Sequence, residues 1–397
     1  MPKFRDFVFG PWRAVAVLGV TQILAWGALF YPPVLMMPLI AAERGWSLFF
    51  AMAGFSLGLL IAGFCAPTVG GLIDRHGGHW VMSAGALLGA AGLVCLTLAS
   101  HPAAYLATWI VLGVAISATL YDPAFATLGR IFGAAARRPI TALTLAGGFA
   151  STVSWPATQF FLSWTDWKTT YLIFAGLLAL VVAPLHLVLL PRTRAAAQKH
   201  FDANAALPSA PLPSRGLPFI LVATAFAAYA FVPSGLAAHL LAMFGRAGID
   251  PATVVLIGAL FGPSQVGARL LEFIFASNVH PLNIARLALA MLIAGFALLA
   301  VFGFWVPIAM VFAIIFGAAN GLITITRGAV PLALFGATGY GRLLGRIAKP
   351  FQIMQALAPV VLAFVVEHFS DRAGLALAAG FTVLALVCMA AIRRPRA

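Results

Sequence analysis

The chain has 397 residues, 62% of them hydrophobic and 9% charged, with a mean hydropathy of +1.03 and a formal charge of +14. A soluble domain carries about 25% charged residues, so this composition excludes a water-soluble globular protein. The basic residues are scattered between apolar runs, not gathered in a stripe with aromatics, which excludes a nucleic-acid surface and fits a membrane protein with basic loops.

Taken in chain order, twelve apolar runs predict membrane spans at 14–41, 48–70, 80–99, 103–129, 139–162, 169–190, 217–244, 251–276, 284–303, 305–330, 344–366 and 372–392. They read as helices, because lipid offers no partner for backbone polar groups and no ten-residue alternation suggests a barrel. Lys3, Arg5 and Arg13 precede the first run, which is too long for a signal peptide and lacks a cleavage site, so it reads as an uncleaved span. The polar stretch 191–216 contains Arg192, Arg194, Lys199 and Arg215. It predicts a cytoplasmic linker between a first six-helix bundle at 1–190 and a second at 217–397. Cys65, Cys95 and Cys388 all lie inside apolar runs without metal-ligand spacing.

With the N-terminus inside, seventeen of the 24 Lys and Arg fall on the cytoplasmic side. Arg44, Lys168, Arg246 and Arg372 fall outside, and Arg269, Arg327 and Lys349 lie within or at the edge of spans. This asymmetry predicts an even number of crossings with both termini cytoplasmic, in the cell (inner) membrane. A faint internal echo supports two related halves. Asp122 precedes Arg137, and Arg327 precedes Arg342, by the same fifteen residues, and a proline, Pro156 or Pro359, follows in the next span.

Between the second and third runs lies Gly70-Gly71-Leu72-Ile73-Asp74-Arg75-His76-Gly77-Gly78. Gly70, Asp74, Arg75 and Gly77 match a pattern of the major facilitator superfamily, Gly-x-x-x-Asp-Arg/Lys-x-Gly-Arg/Lys-Arg/Lys, and the chain resembles that family over nearly its whole length. Gly78 and His79 stand where the family has two basic residues. The resemblance implies an all-α fold of twelve transmembrane helices in two pseudo-symmetric six-helix bundles. It also implies that Asp74 acts as a conformational latch whose partner is basic or a helix N-terminus. The residues alone equally allow Asp74 to cap a helix and Arg75 to anchor at headgroups.

Charges inside spans are costly and usually functional. Here they are Asp122, Arg269, Glu272, Arg327 and Lys349. By resemblance, the first, fourth, seventh and tenth spans line a central cavity, which places Asp122 and Arg327 on it. Arg327 follows Asn320 and Thr324 and is either an anion ligand or a side chain snorkelling to the surface. Asp122, before Pro123, is either a proton or cation site or half of a structural pair. Arg269 and Glu272 share a helix face and can pair with each other. Monocarboxylate transporters carry Asp-x-x-x-Arg in the eighth span, and Gln265 and Arg269 occupy those positions here, so the chain weakly resembles that branch and the oxalate–formate antiporters. With Gln265 unable to ionise, the proton falls to Glu272 or Asp122. Tyr121, Trp26, Tyr31 and Gln355 complete the candidate substrate contacts.

The order Gly-Pro-x-x-Gly-Gly of drug–proton antiporters is absent from span five, where Ala146-Gly147-Gly148 stands. No nucleotide loop, zinc motif or nucleophile elbow points to an enzyme or an ATP-driven pump. The expectation is therefore a monomeric secondary transporter, without cofactor or metal, for a small solute and a proton co-substrate in a lipid bilayer. A monocarboxylate-like anion is the favoured cargo. The alternatives are a proton-coupled exporter of a drug-like compound and a non-transporting receptor on the same fold.

Overall fold

In a computed structural model of the chain, the described residues are 10–192 and 216–393. Most of the expected linker lies outside them, as do Lys3, Arg5, Arg194, Lys199, Arg215, Arg394 and Arg396.

The first half begins with α1 (Arg13–Leu29) and α2 (Pro33–Arg44), parted where consecutive prolines 32 and 33 withhold two backbone donors. Ser47 caps α3 (Leu48–His76), its Oγ accepting from the Phe50 amide at 3.1 Å. α4 (Gly78–Leu98) follows after a single residue, Gly77, at φ +85°. The expected loop is thus much shorter than its sequence suggests. Gly70 and Gly71 do not end the helix, which continues to His76, and Asp74 and Arg75 sit on its last turn.

Span four is α5 (Pro102–Thr119) and α6 (Tyr121–Phe132), interrupted at Leu120. Pro123 has no N–H to return to the Thr119 carbonyl four residues back. In lipid that orphan needs another donor, and Gln22 Nε2 of α1 supplies it at 2.7 Å. A 3₁₀ turn (Gly133–Ala136) leads to span five, α7 (Arg137–Gly147) and α8 (Ala150–Leu162). Span six is α9 (Trp167–Leu177), widening into π-helical turns at Leu178–Val182 and Leu185–Leu189.

The second half holds α10 (Leu217–Arg246), α11 (Pro251–Ala259) with α12 (Phe261–Phe275), α13 (Pro281–Phe302), α14 (Val306–Phe335), α15 (Tyr340–His368) and α16 (Asp371–Ala391). Here Pro359 lies inside α15, and the Gln355 carbonyl it cannot serve accepts from Ser234 Oγ of α10 at 2.6 Å.

Among the described residues, eleven stretches are long and apolar enough to cross a membrane, and one of them, Pro102–Leu162, has 61 residues. At 1.5 Å per residue that is about 90 Å of helix, roughly three times a hydrocarbon core. Interrupted at Gly133–Ala136, it is two crossings, which makes twelve spans in an integral membrane protein.

The chain divides into two compact units. The first comprises everything up to residue 206 together with 337–349, and the second 207–336 together with 350–397. The beginning of α15 therefore packs with the first six spans. Within the first unit α3 and α4 both pack on α5, and α1 packs on α7 and α8. Within the second, α14 packs on α12 and α13, and α16 on α10 and α13.

Charges finish the helix ends. Lys168 pairs with Glu43 at 2.5 Å, and Arg44 donates to the Ala99 and Thr97 carbonyls at the end of α4. Arg246 grips Asp371 through two hydrogen bonds, of 3.0 and 2.5 Å. Arg286 covers the terminal carbonyls of α16 at Met389 and Ile392. Asp166 caps α9 by accepting from the Thr169 amide at 2.7 Å, which holds its carboxyl below the usual carboxylate range.

Candidate functional site

Asp74 stands at the C-terminal end of α3, where a carboxylate is disfavoured by the helix dipole. Its compensation comes from the start of α15. Oδ1 accepts from the Gly341 amide at 2.9 Å and Oδ2 from the Arg342 amide at 2.8 Å. These are amides that a helix start leaves unpaired, in a field that favours an anion. The Asp74 main-chain carbonyl accepts from Arg130 of α6.

The approach depends on missing side chains. A Cβ on Gly70 would fall 2.0 Å from the Gly341 carbonyl oxygen, and one on Gly345 would fall 2.1 Å from that of Ala66. Ala66 and Gly70 on α3, and Gly341 and Gly345 on α15, are two small-x-x-x-small pairs facing each other, the spacing that lets helix backbones touch in lipid. Tyr340 is buried against Gly129, and Lys349 lies over the Phe64 ring at 4.5 Å. Arg75 is exposed and Gly77 provides the left-handed turn.

Also in the first unit, Trp26 lies among aromatics, with ring centroids 5.1 Å from Tyr121, 5.9 Å from Tyr31 and 4.6 Å from Phe30. Its indole donates to Gln22 Oε1 at 3.1 Å, while the Gln22 amide holds Thr119. Tyr121 and Asp122 begin α6, directly after the break that Pro123 causes. Asp122 lines a small cleft with Ser117, Gly70, Gly341 and Gly345. The cleft has about 10 Å³ of free space, the room of one water molecule.

In the second unit, Arg269 is 2% exposed and Glu272 3%. The Arg269 guanidinium donates to Gln265 Oε1 at 3.0 Å and to the Gly321 carbonyl at 3.3 Å. Gly321 permits this: a Cβ there would meet the Gln265 backbone oxygen at 2.4 Å. One residue earlier on α14, Asn320 Oδ1 accepts from Tyr229 Oη at 2.8 Å. Arg327, two turns further on, lies over the Phe351 ring at 4.4 Å. Gln355 is tied through its carbonyl to Ser234.

The structure thus brings Gln265, Arg269 and Asn320 together across α12 and α14. It groups Trp26, Tyr31 and Tyr121, and joins Asp74 to Gly70 through the start of α15. Arg327 lies over Phe351. Sequence reasoning missed the Gly341–Gly345 spacing, although Gly-x-x-x-Gly is a readable signal; here Arg342 and Arg346 interrupt the apolar run that usually marks it. It also missed that Gln22 and Ser234 serve carbonyls four residues before a proline. The proline is legible; its distant donor is not.

The sequence profile described as Major Facilitator Superfamily matches residues 15–305. No curated protein matches the chain. Among solved structures, the human organic anion transporter MFSD10 (TETRAN) superposes with a TM-score of 0.72 at 16% identity, covering 98% of this chain and 100% of its own. The proton:xylose symporter XylE, bound to 6-bromo-6-deoxy-D-glucose, superposes with a TM-score of 0.67 at 15% identity, covering 94% and 93%. At these identities the two neighbours speak to fold alone, and they agree with the profile, which spans most of the chain. The chain belongs to the Major Facilitator Superfamily.

Proposed function

We propose that the chain is a proton-coupled secondary transporter for a monovalent organic anion of the monocarboxylate kind, working by alternating access. The observation that carries this reading is Arg269, a guanidinium buried in a membrane-spanning helix with polar groups of α12 and α14 holding it in place. A planar, permanently charged fork is suited to a carboxylate. Gln265, Asn320, Arg327 and Gln355 are its supporting contacts in the second unit, and Trp26, Tyr31 and Tyr121 supply aromatic surface in the first. Asp122 and Glu272 are the proton carriers. Asp74, with Gly70, Arg75 and Gly77, is a latch that holds the start of α15 in one state and releases it in another. Both termini face the cytoplasm in the inner membrane, and the working form is a monomer. MFSD10 is described as an organic anion transporter, which accords with this substrate class.

Uptake of labelled lactate-like acids into proteoliposomes tests the reading. Losing a hydrogen bond to a charged group costs about 1.5–3 kcal/mol, so Arg269→Ala and Arg327→Ala should each lower uptake about 10- to 100-fold. Unchanged uptake in both variants would defeat the anion model. The second reading, export of a drug-like cation, draws on the aromatic cluster of Trp26, Phe30, Tyr31 and Tyr121, the last of which precedes Asp122 at the start of α6. Under it, Asp122→Asn abolishes efflux of a lipophilic cation while both arginine variants leave it intact.

A further inference from the structure

Two amide side chains of the second unit are held at one end and open at the other. Arg269 can only donate, so the Gln265 oxygen, at 3.0 Å, is the atom that faces it. Tyr229 of α10 is 3% exposed, and its hydroxyl lies 2.8 Å from Asn320 Oδ1. Among the described residues its phenol proton has no other acceptor. A reversed amide would turn Asn320 Nδ2 towards the hydroxyl and leave that proton buried and unpaired, which is the costlier arrangement.

With both oxygens held, both amide nitrogens are left over. Neither Gln265 Nε2 nor Asn320 Nδ2 makes a hydrogen bond among the described residues, and both side chains are only half-buried. They flank one contact between α12 and α14, where Gly321 meets the Gln265 main chain and takes the Arg269 Nε hydrogen. Arg269 and Glu272 are buried there, so a ligand arriving from the open side meets the amide nitrogens before either charge. Each nitrogen carries N–H donors and no acceptor. Such a pair suits a ligand that only accepts, which an ionised carboxylate does and a cation does not.

We propose, on the anion reading above, that Tyr229 is the positioning residue of this site. By holding Asn320 Oδ1 it aims the Asn320 N–H donors, together with those of Gln265, at a carboxylate oxygen of the substrate, and it favours a carboxylate over a neutral molecule of the same shape. Arg269 supplies the positive charge behind them and fixes Gln265 in the same way.

The test uses the full chain in proteoliposomes, with labelled acetate, lactate and benzoate as probes. Tyr229→Phe keeps the ring and frees the Asn320 amide to turn. It should raise KM about 3- to 10-fold, the loss of one neutral hydrogen bond, and leave the maximal rate unchanged. It should also narrow the preference for lactate over lactamide, the neutral amide of the same shape, read by competition. Because Tyr229 acts through Asn320, Tyr229→Phe should add nothing in an Asn320→Ala background. Asn320→Asp still accepts from Tyr229 but has no N–H, so it should take up lactate no better than Asn320→Ala, a comparison that holds even where Tyr229→Phe does not fold. A wild-type KM in Tyr229→Phe, effects that add to those of Asn320→Ala, or a wild-type KM in Asn320→Asp overturns the role of Tyr229 while Arg269→Ala still lowers uptake. If Arg269→Ala leaves uptake unchanged, or wild type takes up none of these acids, the anion reading falls and the role of Tyr229 with it.

Discussion

The two units meet the same problem, a proline inside a lipid-embedded helix, with different side chains and different results. In the first, Pro123 orphans the Thr119 carbonyl, Gln22 reaches across from span one to satisfy it, and the helix breaks outright at Leu120. In the second, Pro359 orphans the Gln355 carbonyl, the shorter Ser234 of span seven satisfies it, and α15 runs through. In both, the donor comes from the first helix of its own half. The comparison teaches that a missing donor and a partner for the exposed acceptor do not by themselves break a helix, because both halves have the two parts and only span four is interrupted. The units also divide their costs differently. Both use glycines for backbone contact, the first around Asp74 and the second at Gly317 and Gly321, but the second also buries Arg269 and Glu272.

Glycine substitutions should have the largest effects, and should separate glycines at helix contacts from those in open space. Gly345→Val drives a side chain into the Ala66 carbonyl, and overpacking of this kind costs about 3 kcal/mol. Gly380→Ala on α16, where a Cβ meets nothing within 4 Å, should instead stabilise by about 0.5–1 kcal/mol. Thermal midpoints in detergent read both. Equal midpoints would mean that the α3–α15 contact is not tight.

The proline donors come next. Gln22→Leu leaves the Thr119 carbonyl and the Trp26 indole unserved, at about 2 kcal/mol, while Ser234→Ala leaves one carbonyl, at about 1 kcal/mol. If Ser234→Ala is the more damaging in denaturation measurements, the contrast drawn between the two prolines is wrong.

Asp74→Asn keeps one acceptor oxygen and loses the charge that the start of α15 favours, so it should cost about 1 kcal/mol in the same measurement. Exchange protection of the Gly341 and Arg342 amides should fall with it, and unaltered protection would show that the carboxylate is dispensable there.

The smallest effect belongs to the cap of α9. The Asp166 carboxyl titrates below its unfolded value, so its contribution is present above the unfolded pKa and is lost as the pH falls through the folded one. Asp166→Ala should therefore lower the midpoint slightly at neutral pH, by about 0.5 kcal/mol, and converge with wild type in acid. A difference that persists in acid would assign the effect to packing.

The amino-acid sequence by itself determined the class of the fold. Runs of twenty or more apolar residues leave the backbone no partner but its own helix, and the central polar stretch and scattered charges divide twelve of them in two. It also marked Asp74, Arg269 and Arg327, since a charge beside or within such a run is conspicuous. It did not place their partners. Hydrophobic periodicity vanishes in a helix that is apolar on every side, so no pattern in the chain says that Gly70 meets Gly341, that Gln22 serves Thr119, or that Tyr229 holds Asn320. Those pairings join residues far apart in the chain, and packing decided them: small residues let backbones touch, and every polar group left over in a dry interior had to find whichever donor or acceptor came within reach.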